Sequence, residues 1–420
     1  MKSETIIIGG GLAGAAALFE LSRRGIPATL LEAREGVALE TSFANGGMMT
    51  PSMPEPWNGP GVGRHLLESL FDPASPMKLR PHAIPGLAFW GLRFLRNSAP
   101  ARHRAAAIAN YALASYSATT TQAWREAFAL DYDAAQTGSM KILDTREALD
   151  AQVEAAQRLA SAGLRFEIID AERALEIEPE LAEIRAKIAG ALYFPDDGIG
   201  DAHKFACALA ERSQKLGATI RTGVRAIAIE SKGGRVTGVL TEGGLIGADR
   251  IILAAGNTSP ALARNLGVAL PIKPVKGYSV TFKMTGTNRR PRVAVIDEAM
   301  HAAIVPIGDR LRAVGTAEFT GFDKTLRPER VENLRLFFRR IYPSLSRELE
   351  EGEGAPWTGL RPMSADGSPF IGKTRVKGLW INAGHGHLGW TMAAGSAALL
   401  ADLIAGERPE IDPAPYRIDR

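Results

Sequence analysis

The sequence predicts an α/β and α+β chain: a Rossmann-like dinucleotide-binding domain with an interleaved second domain built on a mostly antiparallel sheet. Three observations lead there. Residues 4–34 read as strand, glycine turn, helix, strand and terminal acid. From Pro271 to about Phe319 the pattern changes to short strands separated by turns. Near the other end, a strand at Gly378–Asn382 runs into a glycine-rich turn and then a helix, repeating the opening logic.

The opening unit carries the most chemistry. Thr5-Ile6-Ile7-Ile8 reads as a buried parallel strand and runs into Gly9-Gly10-Gly11-Leu12-Ala13-Gly14, which fits G-x-G-x-x-G. Gly9 permits the tight turn, Gly11 lets a pyrophosphate approach the backbone, and Gly14 lets the helix pack on the strand. The helix N-terminus offers free N–H groups and a positive dipole end to phosphates. Glu32, closing the second strand, can accept hydrogen bonds from a ribose 2′-OH, and an acid there argues against NADP.

Composition narrows the function classes. A chain of 420 residues exceeds one ordinary core, so two domains are expected. The net charge of +4 is small for that length and no dense basic run appears, so no nucleic-acid partner is expected. The single cysteine, Cys207, excludes an internal disulfide and a cysteine-cluster metal site, and its helical setting suggests a buried structural thiol. No secretory leader is expected, because the first strand begins at about residue 4. No run of 18 apolar residues exists, so no membrane-spanning helix is expected.

Along the chain, Thr41-Ser42-Phe43-Ala44-Asn45-Gly46-Gly47 reads as a loop of small residues, either plain surface or passing beside a cofactor's reactive ring. Residues 51–63 read as a Pro- and Gly-rich connector. In residues 64–105, Leu66, Leu67, Leu70 and Phe71 form one apolar face, and Leu87, Phe89, Trp90, Leu92 and Phe94 follow among several arginines. Such a stretch suits a membrane interface, or packing inside the protein or at a subunit contact. Residues 106–130 and 148–162 read as helices, and Asp170 and Asp201 as N-caps. Ala226–Glu230 and Val236–Thr241 read as a hairpin, and Ala254-Ala255-Gly256 as a small-residue turn after a buried strand.

With these pieces placed, the chain resembles the D-amino-acid oxidase superfamily of FAD oxidoreductases, and within it the D-amino-acid dehydrogenases of bacterial respiration. The matching stretches are Gly9–Gly14 with Glu32, Thr41–Gly47, Val275–Ser279, Gly359–Pro362 through Asp366-Gly367, and Gly384–Gly386 through Leu388–Thr391. The resemblance implies an FAD-binding domain from 1–60, 185–270 and 350–420, and a substrate-binding domain from 61–184 and 271–349. It implies non-covalent FAD, since the loop has Asn45 where a linking histidine would stand and Cys207 lies elsewhere. Besides the glycines and Glu32, the implied cofactor residues are Leu12, Ala13, Ala33, Arg34, Thr41, Ser42, Asn45, Gly46, Gly47, Val224, Ala255 and Gly256. The C-terminal turn would add Gly386, His387, Leu388, Gly389, Trp390 and Thr391.

The implied reaction is oxidative deamination of a D-amino acid, by hydride transfer from Cα to flavin N5, giving an imino acid that hydrolyses to a 2-oxo acid. Arg361 is the implied carboxylate grip, because its planar fork suits bidentate contact. Tyr278 would supply a hydroxyl near the site. Of His385 and His387, one would pack at the flavin and one, His387, would face the substrate; a metal is not expected, for want of a third ligand. The related dehydrogenases carry a small polar residue where His387 stands. His301 and Lys276 are weaker candidates. Electrons would pass to a quinone, with a cytoplasmic enzyme peripheral on the inner membrane face through residues 64–105. Alternatives left open are a dehydrogenase for cyclic D-imino acids such as cis-4-hydroxy-D-proline, a glycine- or sarcosine-type oxidase, and a non-enzymatic FAD-binding subunit.

Overall fold

The computed structural model describes residues 5–69, 75–298, 300–350 and 354–420. β1 (Thr5–Ile8), α1 (Leu12–Arg23) and β2 (Ala28–Leu31) form the expected opening unit. β1 is fully buried, as a central parallel strand of isoleucines should be. It pairs in parallel with β2 on one side and with Arg250–Leu253 on the other. The whole sheet has six strands, in the order Phe370–Lys373, Leu379–Ala383, Arg250–Leu253, β1, β2 and Thr219–Arg221. N-terminal, middle and C-terminal segments thus interleave, and all neighbours are parallel except the Phe370–Lys373 edge.

Two long helices follow, one on each layer: the first packs on the second sheet through Leu87, Trp90 and Phe94, and the other completes the nucleotide-binding layer. α2 (Ile84–Arg96) is discussed below. α3 (Pro100–Phe128) sits between residues expected in the substrate domain, yet its Leu113 and Ala114 pack with Met392 and Leu399 of the C-terminal helix Gly389–Ala405. Trp124 meets Phe19 of α1 edge-on at 4.9 Å. The segment Gly386–Ala405 is long and apolar enough to cross a membrane by length and composition, which corrects the expectation of no such helix; 78% of its apolar window is buried inside the protein. Its apolar surface is the core of the nucleotide-binding layer, not a lipid-facing one.

The second sheet contains β3 (Ser139–Leu143), β4 (Gly190–Phe194), β5 (Ile272–Lys283), β6 (Ala294–Asp297), β7 (Ala302–Ile307), β8 (Arg310–Phe319) and β9 (Ala355–Ser364). Its order is β9-β5-β8-β7-β6-β3-β4-(Glu167–Ile169), with Met77–Leu79 pairing β8. It is mostly antiparallel; β6 with β3 is one parallel pair. The cuts expected at 185 and 350 therefore need correction, because β4 and β9 join this sheet. β9 is the harder miss: Ala355–Ser364 holds two prolines and a glycine, which read as breakers, but an edge strand tolerates them. The helix Pro328–Ile341 covers one face, where Leu334, Phe337, Phe338 and Ile341 meet Val280, Phe282 and Ile304.

Local expectations hold in detail where side chains cap the backbone. Asp170 accepts from Arg173 N at 2.8 Å and Asp201 from Lys204 N at 3.0 Å. The Gly233-Gly234 hairpin forms with both glycines at positive φ. Of the apolar face expected at 66–71, Leu70 and Phe71 lie outside the described residues, while Leu66 is partly buried and Leu67 exposed. Cys207 is half-buried, not fully, with Sγ 3.7 Å from His203 Nε2.

The seam between the two sheets holds a buried acid. Asp197 Oδ2 accepts from Ser52 Oγ at 2.5 Å and Ser139 Oγ at 2.6 Å. Burial pushes its carboxyl up from 3.8 to about 6. A carboxyl that binds its proton more tightly when folded favours the folded state in acid, and that advantage is lost as pH rises from about 4 through about 6. Asp197→Asn should remove this slope. The Tm difference between variant and natural protein is expected to grow in the variant's favour from pH 4 to 7; a constant difference would refute the assignment.

Candidate active site

The opening glycines are dictated by close contacts. Gly9 sits at φ 105°, and a Cβ on it would lie 2.7 Å from the Ala254 carbonyl oxygen. A Cβ on Gly14 would stand 1.8 Å from the Gly9 carbonyl oxygen, so only glycine lets α1 close onto β1. At Gly11 a Cβ would meet only Ser42 Oγ, at 3.5 Å, which leaves space over the helix N-terminus. The N-cap Gly11 supplies no capping side chain and the first turn of α1 has no acid; among the described residues only Ser42 Oγ reaches in from outside the helix, accepting from Leu12 N at 3.2 Å. Glu32 is fixed by main chain: it accepts from Gly10 N at 2.6 Å and Arg34 N at 2.8 Å. Val224 N donates to the Glu32 carbonyl at 2.8 Å, bringing that residue alongside.

The far glycine turn meets the first one. Strand Leu379–Ala383 ends at Gly384 and Gly386, both at positive φ, before the long C-terminal helix. Asn382 Nδ2 donates to the Ala13 carbonyl at 3.2 Å, tying the two turns together. One cavity of about 1130 Å³ is lined by both. That exceeds ordinary small-ligand pockets of roughly 300–1,000 Å³. An open glycine cradle, a helix N-terminus and a fixed acid in so long a cavity suit FAD.

The 41–47 loop joins the layers. Thr41 Oγ1 donates to the Leu360 carbonyl at 2.7 Å, and so does Asn257 Nδ2, also at 2.7 Å. Ser279 Oγ donates to the Ala44 carbonyl and Arg312 Nη1 to the Asn45 carbonyl, both at 2.9 Å. The loop is thus pinned to the second sheet and is not free surface.

Arg361 projects from β9 at the cavity. Its Nη1 donates to the Thr316 carbonyl at 3.1 Å, and its guanidinium carbon lies 5.2 Å over the Trp57 ring. Among the described residues it has no acidic partner. Loss of water pushes its pKa down to about 10, so it stays cationic at neutral pH. Two backbone features make room. A Cβ on Gly277 would fall 2.1 Å from Nη1. Thr316 adopts φ 60°, and the β5–β8 register slips between Lys276 and Tyr278, a bulge that accompanies the carbonyl bonded to Arg361.

His387 stacks on the same tryptophan, ring centroids 5.0 Å apart and 17° from parallel. Burial, then the Arg361 charge, pushes it down to about 4, so it is a neutral imidazole at physiological pH. His385 turns inward, with Nε2 3.0 Å from Ser396 Oγ of the C-terminal helix. No group that could hold a metal occurs among the described residues.

Most of the expected cofactor residues line this one cavity, including Ala33, Gly46, Gly47, Ala255, Gly256, Leu388, Gly389 and Trp390. Gly14 and Thr391 stand behind it: Gly14 packs α1 on the turn, and Thr391 Oγ1 accepts from Thr50 N at 3.1 Å. Tyr278 needs correction. Tyr278 borders the cavity, but it packs in the core under the covering helix, and its hydroxyl donates to Glu318 at 2.7 Å rather than being free for a substrate. Strand alternation explains this: Ser279 faces the loop and Tyr278 the opposite side. Lys276 shares that side, 3.2 Å from Glu318, and so is not at the site. His301 lines the cavity's far end. Sequence reading missed Trp57, hidden in what reads as a connector, and Gly277, whose role depends on a side chain 84 positions away.

Gly277→Ala should displace Arg361 rather than unfold the chain, because the atom it strikes is the end of a flexible side chain. An unreactive carboxylate is expected to bind about tenfold more weakly or worse, with little change in Tm. Unchanged affinity in a titration would refute this geometry.

Comparison with known proteins agrees with the site. A family profile described as FAD dependent oxidoreductase, DAO, matches residues 4–403. The chain is 39% identical over 417 residues to a D-amino acid dehydrogenase of Sinorhizobium medicae, covering 99% of each. It is also 39% identical to one of Cereibacter sphaeroides, covering 99% of this chain and 94% of the other. Among solved structures, glycine oxidase from Geobacillus kaustophilus superposes with a TM-score of 0.75 at 25% identity, covering 100% of this chain and 99% of the other. L-proline dehydrogenase from P. horikoshii superposes with a TM-score of 0.78 at 21% identity, covering 100% and 98%. With a matching profile along nearly its whole length and a cavity built for the same cofactor, this chain belongs to the DAO family of FAD-dependent oxidoreductases.

Proposed function

We propose that this enzyme oxidises D-amino acids to imino acids, which water converts to 2-oxo acids, and passes the electrons to a respiratory quinone. The observation that carries it is Arg361, a cation beside the cavity with no acidic partner among the described residues. A substrate carboxylate would complete it with charge-assisted bonds. The relatives named D-amino acid dehydrogenase support the choice of substrate class.

Bound FAD supplies a two-electron acceptor for the hydride leaving Cα. Gly9, Gly11 and the α1 N-terminus would hold its phosphates, and Glu32 its ribose. The 41–47 loop and the Gly384–Gly389 turn would flank its ring. Arg361, clamped by the Thr316 carbonyl and Trp57, would fix the substrate's acid group and so aim Cα. His387, being neutral, would add a hydrogen-bonding ring beside that acid group without competing for it as a charge.

A panel of D- and L-amino acids, glycine, sarcosine and D-prolines, with an artificial electron acceptor, tests this reading. D-amino acids are expected to turn over without stoichiometric peroxide in air. Turnover restricted to cyclic D-imino acids, or to glycine with peroxide, would replace it. Arg361→Ala is expected to raise KM by about 10- to 100-fold, as losing a charged hydrogen bond implies; a change within about twofold would remove Arg361 from the site.

We also infer contact with an anionic membrane through α2. Its Leu87, Trp90 and Phe94 are buried, but Ile84, Phe89, Leu92 and Leu95 are exposed, Phe89 by 71% and Leu92 by 69%. Arg93 and Arg96 stand beside them, and Trp90 Nε1 donates to the Met363 carbonyl at 3.2 Å, two residues from Arg361. The natural protein should sediment with anionic vesicles at low salt, and a Phe89→Ser, Leu92→Ser variant should not. Equal recovery of both in the supernatant would overturn it.

A further inference from the structure

The cavity does not stop at Arg361. It continues to Lys141 on β3 and to Glu298 and His301 beyond β6. Lys141 is already satisfied: its Nζ lies 3.0 Å from Glu298 Oε2 and donates to Gln152 Oε1 at 2.9 Å. Glu55, which also lines the cavity, is not. Among the described residues it makes no ion pair and no hydrogen bond to another residue; Lys141 and Glu298 act on it only through their charges.

Its position is nevertheless fixed. Glu55 lies between Pro54 and Pro56, and α3 holds both neighbours. Asn110 Nδ2 donates to the Pro54 carbonyl at 3.0 Å, and His103 Nε2 lies 3.1 Å from the Pro56 carbonyl. Two residues on, Trp57 stacks on His387 and under Arg361. One cavity therefore presents an unmatched cation and an unmatched anion on a rigid frame. Glu55, Glu298, Lys141 and Arg158 line its far part, so their formal charges balance, and Glu55 stands apart by making no ion pair among the described residues.

We propose that Glu55 reads the end of the substrate's side chain, and that the preferred D-amino acids carry a cation there. This rests on the D-amino-acid oxidation proposed above. An ammonium or guanidinium would meet Glu55 while the acid group meets Arg361; an apolar side chain of equal length would leave the half-buried carboxylate unpaired.

The test compares ligands of matched length. 6-Aminohexanoate is lysine without its α-amine, and hexanoate lacks the far ammonium as well. Measured as competitive inhibitors, 6-aminohexanoate is expected to bind at least about tenfold tighter than hexanoate in the natural protein, and that ratio should fall to within about twofold in Glu55→Gln. The kcat/KM of D-lysine over D-norleucine should likewise exceed about ten and collapse in the same variant. Glu55→Asp, which keeps the charge, should retain a clear preference. A ratio near one in the natural protein, or one that survives in Glu55→Gln, overturns the proposal; if that variant fails to fold, the natural-protein ratios decide alone. Should no D-amino acid be oxidised, the proposed function falls. Should D-norleucine serve as well as D-lysine, only the role of Glu55 falls.

Discussion

Much of this molecule depends on a guanidinium kept inside the protein without a counter-ion among the described residues. Arg361 is held by one carbonyl and one aromatic face, and neither neutralises it. Leaving such a charge unpaired is costly, and proteins retain it where a ligand completes the arrangement. The surroundings are shaped to that end. Gly277 clears the space, and the positive φ at Thr316 accompanies the bulge that sets the carbonyl. A strained threonine in mid-strand has no evident value to the sheet alone.

The second constraint is the join between layers. The nucleotide-binding sheet and the antiparallel sheet meet at the Leu360 carbonyl, which accepts from Thr41 and from Asn257. Leu360 precedes Arg361, so the contacts that seat the cofactor-side loops also position the strand bearing the arginine. The Asp197 cluster fixes the same seam from the other side, linking Ser52 to Ser139. Cofactor cavity and substrate cavity are for this reason one space, with Trp57 and His387 stacked in its wall.

Within the cavity, charge is sorted by environment. The two histidines of the C-terminal turn are both pushed to about 4 by burial, yet they face different neighbours. His385 is a packing residue hydrogen-bonded into the C-terminal helix, and His387 is part of the cavity wall. Glu318 and Lys276, equally buried, neutralise one another on the opposite face of the sheet. Paired charges there support the fold, whereas Arg361 at the cavity has no acidic partner among the described residues.

The sequence alone determined what local chemistry controls. Glycine spacing, an apolar strand and a terminal acid specify the opening unit, because each glycine answers to a contact within the turn or the strand beside it. Capping aspartates and the Gly-Gly hairpin are equally local. Tertiary structure decided the rest. Whether β9 is a strand depended on β5 beside it, since its prolines argue otherwise. Which way Tyr278 points depended on which face of the sheet the helix Pro328–Ile341 covers. Trp57, Gly277 and Glu55 acquire meaning only from side chains that arrive from distant segments. Long-range register sets those meetings, and no periodicity in one stretch records the register of another.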